Sequence, residues 1–421
     1  MNEFELRRQK LFEELPDNSV SLIFAGAAKI CSEDEYYPFE VNRNFFYLTG
    51  IEQENSVLML IKCPGERKEY LFLDEYNELK ERWTGKRLTF EEATEISLLS
   101  NVYSNNTFES MLTMSLSCDN NSYGNIDNLL LDLSNEIKIK LNCSTQTFAK
   151  ELEEKYPRLN VGNVYPYIVE LRLVKSEEEI KNLEEAINVT STGINDLLVE
   201  MRFGMSEHEL SDRFEFYGKT HGRRKLSFET ICATGKDATI LHHPIKQQTG
   251  VIRNGDLVLF DLGYKYNGYC ADISRTYPAN GVFSEEQRKI YEAVLNCNKA
   301  VIEYIKPGLS IPELQEFAIA FLKKECVRLG LIKEDDDILK YYIHNVSHFL
   351  GLDTHDVGDR KRKLVPGNVI TVEPGLYFVE KGIGVRIEDD VLVTSTGSRC
   401  LSRGIKKEIA DIEKLMKNRG F

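Results

Sequence analysis

Two aspartates lie on either side of one predicted hairpin and could bind a cation together. Residues 256–272 contain two β-type runs joined by Asn267-Gly268, a pair typical of a tight type I′ turn. In the register of a two-residue turn, Asp261 faces Ser274 and shares a sheet face with Asp272, at a diagonal distance of about 7–8 Å. Either aspartate alone would be an ordinary turn residue. Because apolar residues flank both carboxylates, the pair together favours a bound cation.

Histidines and further carboxylates follow in the same half of the chain. Five of the seven histidines lie in two short segments: His242, His243, His344, His348 and His355. Glu373 follows an apolar run and precedes Pro-Gly, and Glu388 shares a strand face with Arg386. Four carboxylates with an imidazole form an oxygen-rich ligand set, which suits a hard ion such as manganese better than zinc. Such a set can hold two ions about 3.5–4 Å apart, as in two-metal hydrolases.

The elements that must position these residues form a mixed set of helices and hairpins. A serine followed three residues later by Glu or Gln marks helix starts at Ser176, Ser206 and Ser284. A further helix is expected from Ser310 to Gly330. Between the helices lie β-type runs at 228–233, 256–277, 368–377 and 384–394. Helices that alternate with hairpins predict an antiparallel-rich α+β domain.

The length and texture of the chain predict two domains. A chain of 421 residues exceeds the usual size of one compact domain. Residues 1 to about 165 mix short β-type runs with helical segments and are typical of a smaller α/β domain. We therefore expect an N-terminal domain at 1–165 and a catalytic domain at 166–421.

Composition excludes several classes of partner. The formal net charge of -14 argues against a nucleic acid or an anionic membrane surface. The apolar runs are strand-sized and too short to span a bilayer, and the first ten residues are polar. Nine cysteines without a CxxC pair fit a reducing compartment, so a cytoplasmic protein is expected.

Several motifs give the second half of the chain a family resemblance. They are Ile240–His242, Phe260–Gly263, Ala271–Arg275, Ser347–Gly351, Val372–Gly375 and Arg386–Asp389. With these motifs in this order, residues 171–396 resemble the pita-bread metallopeptidases, and within them aminopeptidase P and prolidase. The resemblance implies a C-terminal pita-bread metallopeptidase domain behind a smaller α/β domain. It also implies release of the N-terminal residue from peptides whose second residue is proline.

The resemblance further implies a set of metal ligands. Asp261 and Asp272 would bind one divalent ion, and His348 and Glu373 a second. Asp272 and Glu388 would bridge the two ions, which are expected to be manganese. Glu373 would also act as the general base, taking a proton from water and passing it to the leaving proline nitrogen.

On the substrate side, the resemblance implies roles for residues that bind no metal. They are His242, His355, His344, Arg386 and Tyr377. His242 and His355 would stabilise the tetrahedral intermediate and the scissile amide. Arg386 and Tyr377 would line the proline pocket, and His344 would lie near the metals. His243 directly follows His242, so the sequence leaves open which of the two reaches the substrate.

The N-terminal half carries weaker matches. Asn42–Gly50 and Trp83–Arg87 look like the N-terminal domain that accompanies long aminopeptidases P and some prolidases. Trp83, the only tryptophan, either anchors the core of this domain or reaches the active site of a neighbouring subunit. The second reading predicts a homodimer or homotetramer.

Two alternatives stay open at this point. A prolidase would cleave only Xaa-Pro dipeptides and would pair the free carboxylate with a cation such as Arg360, Arg362 or Lys363. Those residues could equally be a solvated loop. A metal-free pita-bread module that binds a peptide or protein would be expected to have lost ligands, and all five are present.

Overall fold

The computed structural model describes residues 2–117, 125–134, 137–140, 143–222 and 225–417. The chain divides into two compact units, Met1–Arg172 and Leu173–Phe421. The two-domain architecture expected from the sequence, with mixed helix and strand content, is confirmed. Among the described helices, none combines the length and the apolar composition needed to cross a membrane.

The first unit is built around one mixed sheet. Its helices are α1 (Glu3–Glu14), α2 (Arg43–Thr49), α3 (Glu78–Thr84), α4 (Phe90–Ser97), α5 (Phe108–Leu116), α6 (Thr145–Lys155) and α7 (Tyr165–Leu173), with a short 3-10 helix at Asn105–Thr107. Its strands are β1 (Ser19–Phe24), β2 (Ile30–Ser32), β3 (Glu35–Tyr36), β4 (Val57–Cys63), β5 (Glu66–Leu73), β6 (Val102–Ser104), β7 (Asn128–Leu131), β8 (Lys138–Lys140), β9 (Cys143–Ser144) and β10 (Asn160–Asn163).

The main sheet of the first unit has the strand order β10-β7-β1-β4-β5-β6. The central strands β1, β4 and β5 pair antiparallel with one another. At the edges, β7 is parallel to β1, β10 is parallel to β7 and β6 is parallel to β5. All six side chains of β1 are buried, as expected for a central strand covered on both faces. Leu22, Met59 and Phe72 belong to its apolar core.

The second unit combines long helices with short antiparallel strands. Its helices are α8 (Glu177–Glu200), α9 (Glu207–Thr220), α10 (Glu285–Tyr304), α11 (Ile311–Arg328) and α12 (Ile409–Lys417). Its strands are β11 (Ile231–Thr234), β12 (Leu257–Leu262), β13 (Lys265–Tyr266), β14 (Tyr269–Cys270), β15 (Ile273–Pro278), β16 (Val369–Val372), β17 (Gly375–Phe378), β18 (Ile383–Arg386), β19 (Asp389–Val393) and β20 (Ser398–Cys400). Short 3-10 helices lie at Gly235–Thr239, Ile245–Gln247, Ile338–Lys340 and Val379–Lys381.

The predicted helix starts of this unit are confirmed by their caps. Reciprocal capping boxes, in which the serine and the third helical residue each satisfy a backbone N–H, open α8 at Ser176, α9 at Ser206 and α10 at Ser284. Helix α11 begins after Ser310 and is followed by Gly330, whose φ of 67° suits the left-handed residue beyond a helix end.

The strand ladders of the second unit are all antiparallel among the residues described. The orders are β11-β12-β15, β13-β14, β16-β19-β20 and β17-β18. The predicted register of the hairpin at 256–277 is confirmed, because Asp261 pairs with Ser274 and Tyr266 with Tyr269. Asn267 and Gly268 both have positive φ, 46° and 84°, as a type I′ turn requires.

Candidate metal centre

Most of the predicted site residues line one small polar cavity in the second unit. The cavity has a volume of about 70 Å³ and is lined by Leu241, His242, Asp261, Asp272, His344, His348, His355, Glu373, Arg386 and Glu388. Tyr377 is not among the lining residues, but its hydroxyl forms hydrogen bonds with two of them, His344 and Arg386. Trp83 lies in the first unit, in α3, with 86% of its surface exposed.

The hairpin supplies the two aspartates. Asp261 lies in β12, and its Oδ2 accepts a hydrogen bond from Nη2 of Arg386 at 2.6 Å. Its other oxygen, Oδ1, is buried and has no hydrogen-bond partner in the described part of the chain. Asp272 lies just before β15, and its backbone N–H donates to Oδ2 of Asp390 at 3.2 Å. An orphaned carboxylate oxygen that faces a polar cavity is suited to a cation.

His348 and Glu373 reach the cavity from the other side. Nε2 of His348 lies 3.3 Å from Oδ2 of Asp272 and 3.6 Å from Oε1 of Glu373. Nδ1–H of His348 donates to the carbonyl oxygen of Phe349 at 2.9 Å, so Nε2 points into the cavity. Glu373 directly follows β16, and its backbone N–H donates to the carbonyl of Val346, which fixes the glutamate beside the histidine.

Ser274 connects Glu388 with Arg386. Its hydroxyl donates to Oε2 of Glu388 at 2.7 Å and accepts from Nε of Arg386 at 2.7 Å. The backbone N–H of Glu388 also donates to the carbonyl of Ser274, at 3.0 Å. We did not predict a role for Ser274, although the hairpin register that places it opposite Asp261 was a usable signal.

Burial governs the protonation of the carboxylates. It raises the pKa of Asp261, Glu373 and Glu388, and the charge of Asp272 raises each further, while Arg386 acts in the opposite direction. For His348, burial alone would lower the pKa, but the hydrogen bond and charge of Asp272, together with Glu373, raise it to about 9. Ionisation of these carboxyl groups is therefore unfavourable without a further positive charge in the cavity.

The donor set fits a divalent cation. Asp272, His348 and Glu388 are all buried, and each offers a ligand atom that lies within 4.8 Å of those of the other two. A bound cation favours the ionised form of buried acids, and its carboxylate ligands must be deprotonated. Because oxygen donors predominate, the chemistry favours a hard ion.

His344, Tyr377 and Arg386 form a hydrogen-bonded chain next to this set. Oη of Tyr377 lies 2.9 Å from Nε2 of His344 and accepts from Nη1 of Arg386 at 3.0 Å. Burial, and then the charge of Arg386, lower the pKa of His344 to about 3, so its imidazole is neutral. Gly375 permits this approach, because a Cβ there would lie 2.6 Å from Oη of Tyr377 and 2.9 Å from Nε2 of His344.

His242 and His355 are the exposed histidines of the cavity. The ring of His355 lies nearly perpendicular to that of His348, at 4.5 Å between centroids. Burial, and then the charge of His348, lower the pKa of His355. The structure brings His242 to the cavity, whereas His243 is buried and contacts Glu207 at 3.0 Å. We did not predict Glu207, because its position at a helix start gave no chemical signal.

The three cations that could bind the free carboxylate of a dipeptide do not line the cavity. Lys363 forms an ion pair with Glu313 at 2.7 Å, and Arg360 and Arg362 are exposed. None of the three belongs to the lining of the cavity.

Two family models match the chain. Residues 181–395 match metallopeptidase family M24, and residues 4–123 match the aminopeptidase P N-terminal domain. A Haemophilus influenzae protein named Xaa-Pro aminopeptidase is 35% identical, over 98% of this chain and 97% of its own length.

Solved structures of similar proteins match this chain over 99% of its length. A Bacillus anthracis protein proposed to be an aminopeptidase P has a TM-score of 0.94 at 44% identity, over 99% of this chain and 98% of its own. Aminopeptidase P from Escherichia coli, solved with the inhibitor Pro-Leu, has a TM-score of 0.89 at 32% identity, over 99% and 98%.

Proposed function

Because this chain belongs to metallopeptidase family M24, we propose that it hydrolyses the peptide bond before proline and releases the N-terminal residue of Xaa-Pro peptides. The observation that carries the reaction type is the cluster of buried acids around His348, which fits divalent cations. Similarity to Xaa-Pro aminopeptidase over 98% of the chain supports the proline selectivity.

Five residues would hold two metal ions. Asp261 and Asp272 would hold one ion, His348 and Glu373 the other, and Asp272 and Glu388 both. The orphaned Oδ1 of Asp261 and the proximity of Asp272, His348 and Glu388 support this assignment. When bound, such a pair supplies a nucleophile by lowering the pKa of a water molecule to near neutrality.

Glu373 is the proposed general base. Its carboxylate lines the cavity beside His348, where it would take the proton of the attacking water and pass it to the leaving proline nitrogen. The water oxygen adds to the scissile carbonyl carbon, and the C–N bond then breaks as the proline nitrogen receives that proton. His242 and His355, which face the cavity, would donate hydrogen bonds to the tetrahedral intermediate.

Arg386 and Tyr377 are proposed to shape the subsite that receives proline. Arg386 is held by hydrogen bonds to Asp261, Ser274 and Tyr377, so its guanidinium is fixed before substrate arrives. His344, neutral and bonded to Tyr377, would support the same wall.

Manganese is the proposed metal. Four carboxylates and one imidazole favour a hard ion over zinc, which prefers nitrogen and sulfur in structural sites. After chelation, manganese should restore more activity than calcium, and metal analysis of the purified protein should find two equivalents per chain.

We propose that the protein works as a homodimer or homotetramer in which Trp83 of one copy reaches the active site of another. Trp83 follows Leu79 by one helical turn in α3, and both are exposed, by 86% and 69%. Large exposed apolar side chains on one helix face are typical of an interface. Light scattering should give a dimer or tetramer, and Trp83→Ala should raise KM without lowering the melting temperature.

A cytoplasmic location is proposed because the sequence, with nine cysteines, contains no CxxC pair, which fits a reducing compartment. Fractionation of the source cells should place the protein with cytoplasmic markers.

The function is tested with three substrates and restored manganese. Release of only the first residue from Arg-Pro-Pro and from a longer Xaa-Pro peptide is expected. Cleavage of Gly-Pro alone would instead identify a dipeptidase. Absence of metal-dependent cleavage of all three would contradict the proposal.

A further inference from the structure

The buried residue after His242 carries a contact that the reaction chemistry does not use. His242 is exposed at the cavity, and its side chain makes no hydrogen bond to other residues that the structure describes. His243 is 2% exposed, and its Nε2 lies 3.0 Å from Oε2 of Glu207, whose side chain is fully buried. The exposed histidine therefore directly precedes a residue that is held by a buried polar contact.

Glu207 fixes the whole segment to the start of α9. Its Oε1 accepts from the N–H of Thr234 at 2.6 Å, and its Oε2 accepts from the N–H of Gly250 at 3.0 Å. The N–H of Glu207 in turn donates to the carbonyl of Gly250, and Nε2 of Gln248 donates to the carbonyl of His243. The carboxylate of Glu207 thus contacts three polar groups, and a buried network of this kind favours one conformation.

A metal ion is a weaker explanation of the same cluster. Glu207, Asp237 and His243 offer ligand atoms within 4.8 Å of one another. However, the carboxylate of Glu207 already accepts three hydrogen bonds, from two backbone N–H groups and one imidazole. Since its charge is satisfied by these donors, the cluster needs no cation.

We propose that Glu207 is a positioning residue, which holds His243 so that His242 points at the scissile amide. The inference deepens the proposed function and rests on it. The buried pair fixes the backbone next to His242 and so the direction in which its side chain leaves the chain, which reduces the freedom lost on reaching the transition state.

The second exposed histidine of the cavity has the same arrangement. His355 is followed by Asp356, whose Oδ2 lies 2.9 Å from Nζ of Lys175, with both side chains 1% exposed. The N–H of Asp356 donates to the carbonyl of Phe349, and a Cβ at Gly351 would lie 2.1 Å from Oδ2 of Asp356. Lys175 thus positions His355 as Glu207 positions His242.

A double-mutant cycle between His243 and His242 tests the role of the contact between Glu207 and His243. His243→Leu removes the donor, whereas His243→Gln retains an N–H donor at a similar reach. His243→Leu should lower kcat/KM by about 100-fold, the effect of misplacing a catalytic group by about 1 Å, mostly through kcat. In a His242→Ala background the same change should cost no more than about twofold. His243→Gln should retain most of the activity.

The same cycle applies to the lysine. Lys175→Met should lower kcat/KM in the wild type and have little effect in a His355→Ala background. Tyr291→Phe provides the control, because it removes a partly buried hydrogen bond to the carbonyl of Lys407, in the same unit and outside the cavity. It should lower the melting temperature and leave kcat/KM unchanged.

Several outcomes separate the inference from the proposed function. Equal losses from His243→Leu in both backgrounds, or equal damage by His243→Gln, would overturn the positioning role. A wild type that cleaves no Xaa-Pro peptide would instead overturn the proposed function. In that case a crystal structure of His243→Leu decides the inference: displacement of residues 241–250 supports it, and an unchanged path contradicts it.

Discussion

Metal binding by this site should be strongly coupled to proton release. The pKa of His348, raised to about 9 mainly by Asp272 against the effect of burial, leaves about 99% of this imidazole protonated at pH 7 before metal binds. Coordination requires a neutral imidazole and ionised carboxylates. Binding must therefore release about one proton from His348, and more from the carboxylates whose pKa burial raises.

The magnitude follows from linkage. Each proton released makes the apparent affinity rise about tenfold, or about 1.4 kcal/mol, per pH unit. From pH 6 to pH 8 the affinity should rise by at least about 100-fold. In the metal-free protein, pH acts in the opposite direction: the contribution of His348 to folding stability falls as the pH rises. Its folded pKa is raised, so its contribution to stability is complete below about 6.5, the unfolded value, and is lost as the pH rises through about 9.

Calorimetric titration of the chelated protein with manganese measures this directly. The heats in two buffers that differ in ionisation enthalpy give the number of protons released. His348→Gln should lower that number by about one at pH 7, while replacing the exposed His221, outside the cavity, should leave it unchanged. An affinity that does not vary between pH 6 and pH 8, with no proton released, would refute the reasoning.

Two further predictions concern packing and charge. Gly375→Ala should lower kcat/KM by about 100-fold, because its Cβ would lie 2.6 Å from Oη of Tyr377, whereas Gly404→Ala, with no atom within 4 Å, should change the free energy of unfolding by less than about 0.5 kcal/mol. Asp389→Asn should lower the free energy of unfolding at pH 7 by about 3–5 kcal/mol, measured in urea, since it leaves the buried Arg275 without its 2.7 Å partner. Burial raises the pKa of Asp389, but Arg275, Lys407 and Ser402 together outweigh burial and hold this pKa well below its usual range. The contribution of Asp389 to stability is therefore present above about pH 4 and lost at lower pH. If wild type and Asp389→Asn differed in free energy of unfolding by the same amount at every pH, this account would be contradicted.

Local chemistry made much of the catalytic unit predictable. The Asn267-Gly268 turn determines the hairpin register, and the register places Asp261 opposite Ser274 without reference to any distant residue. Helix starts at Ser176 and Ser206 are also local, because the capping side chains satisfy backbone groups within four residues.

Contacts between distant segments were not predictable in the same way. Glu207 meets His243 across 36 residues, and Lys175 meets Asp356 across 181. No periodicity or turn signal connects such pairs, since their proximity depends on how the strands and helices pack. For the same reason the sequence left open whether His242 or His243 faces the cavity, which the structure resolves through the burial of His243.

The central claim is that Asp261, Asp272, His348, Glu373 and Glu388 hold two metal ions. Anomalous diffraction from crystals of the manganese-loaded protein tests it most directly. The account predicts two peaks among these side chains, about 3.5–4 Å apart. A single peak, or peaks only beside Glu207 and Asp237, would contradict it.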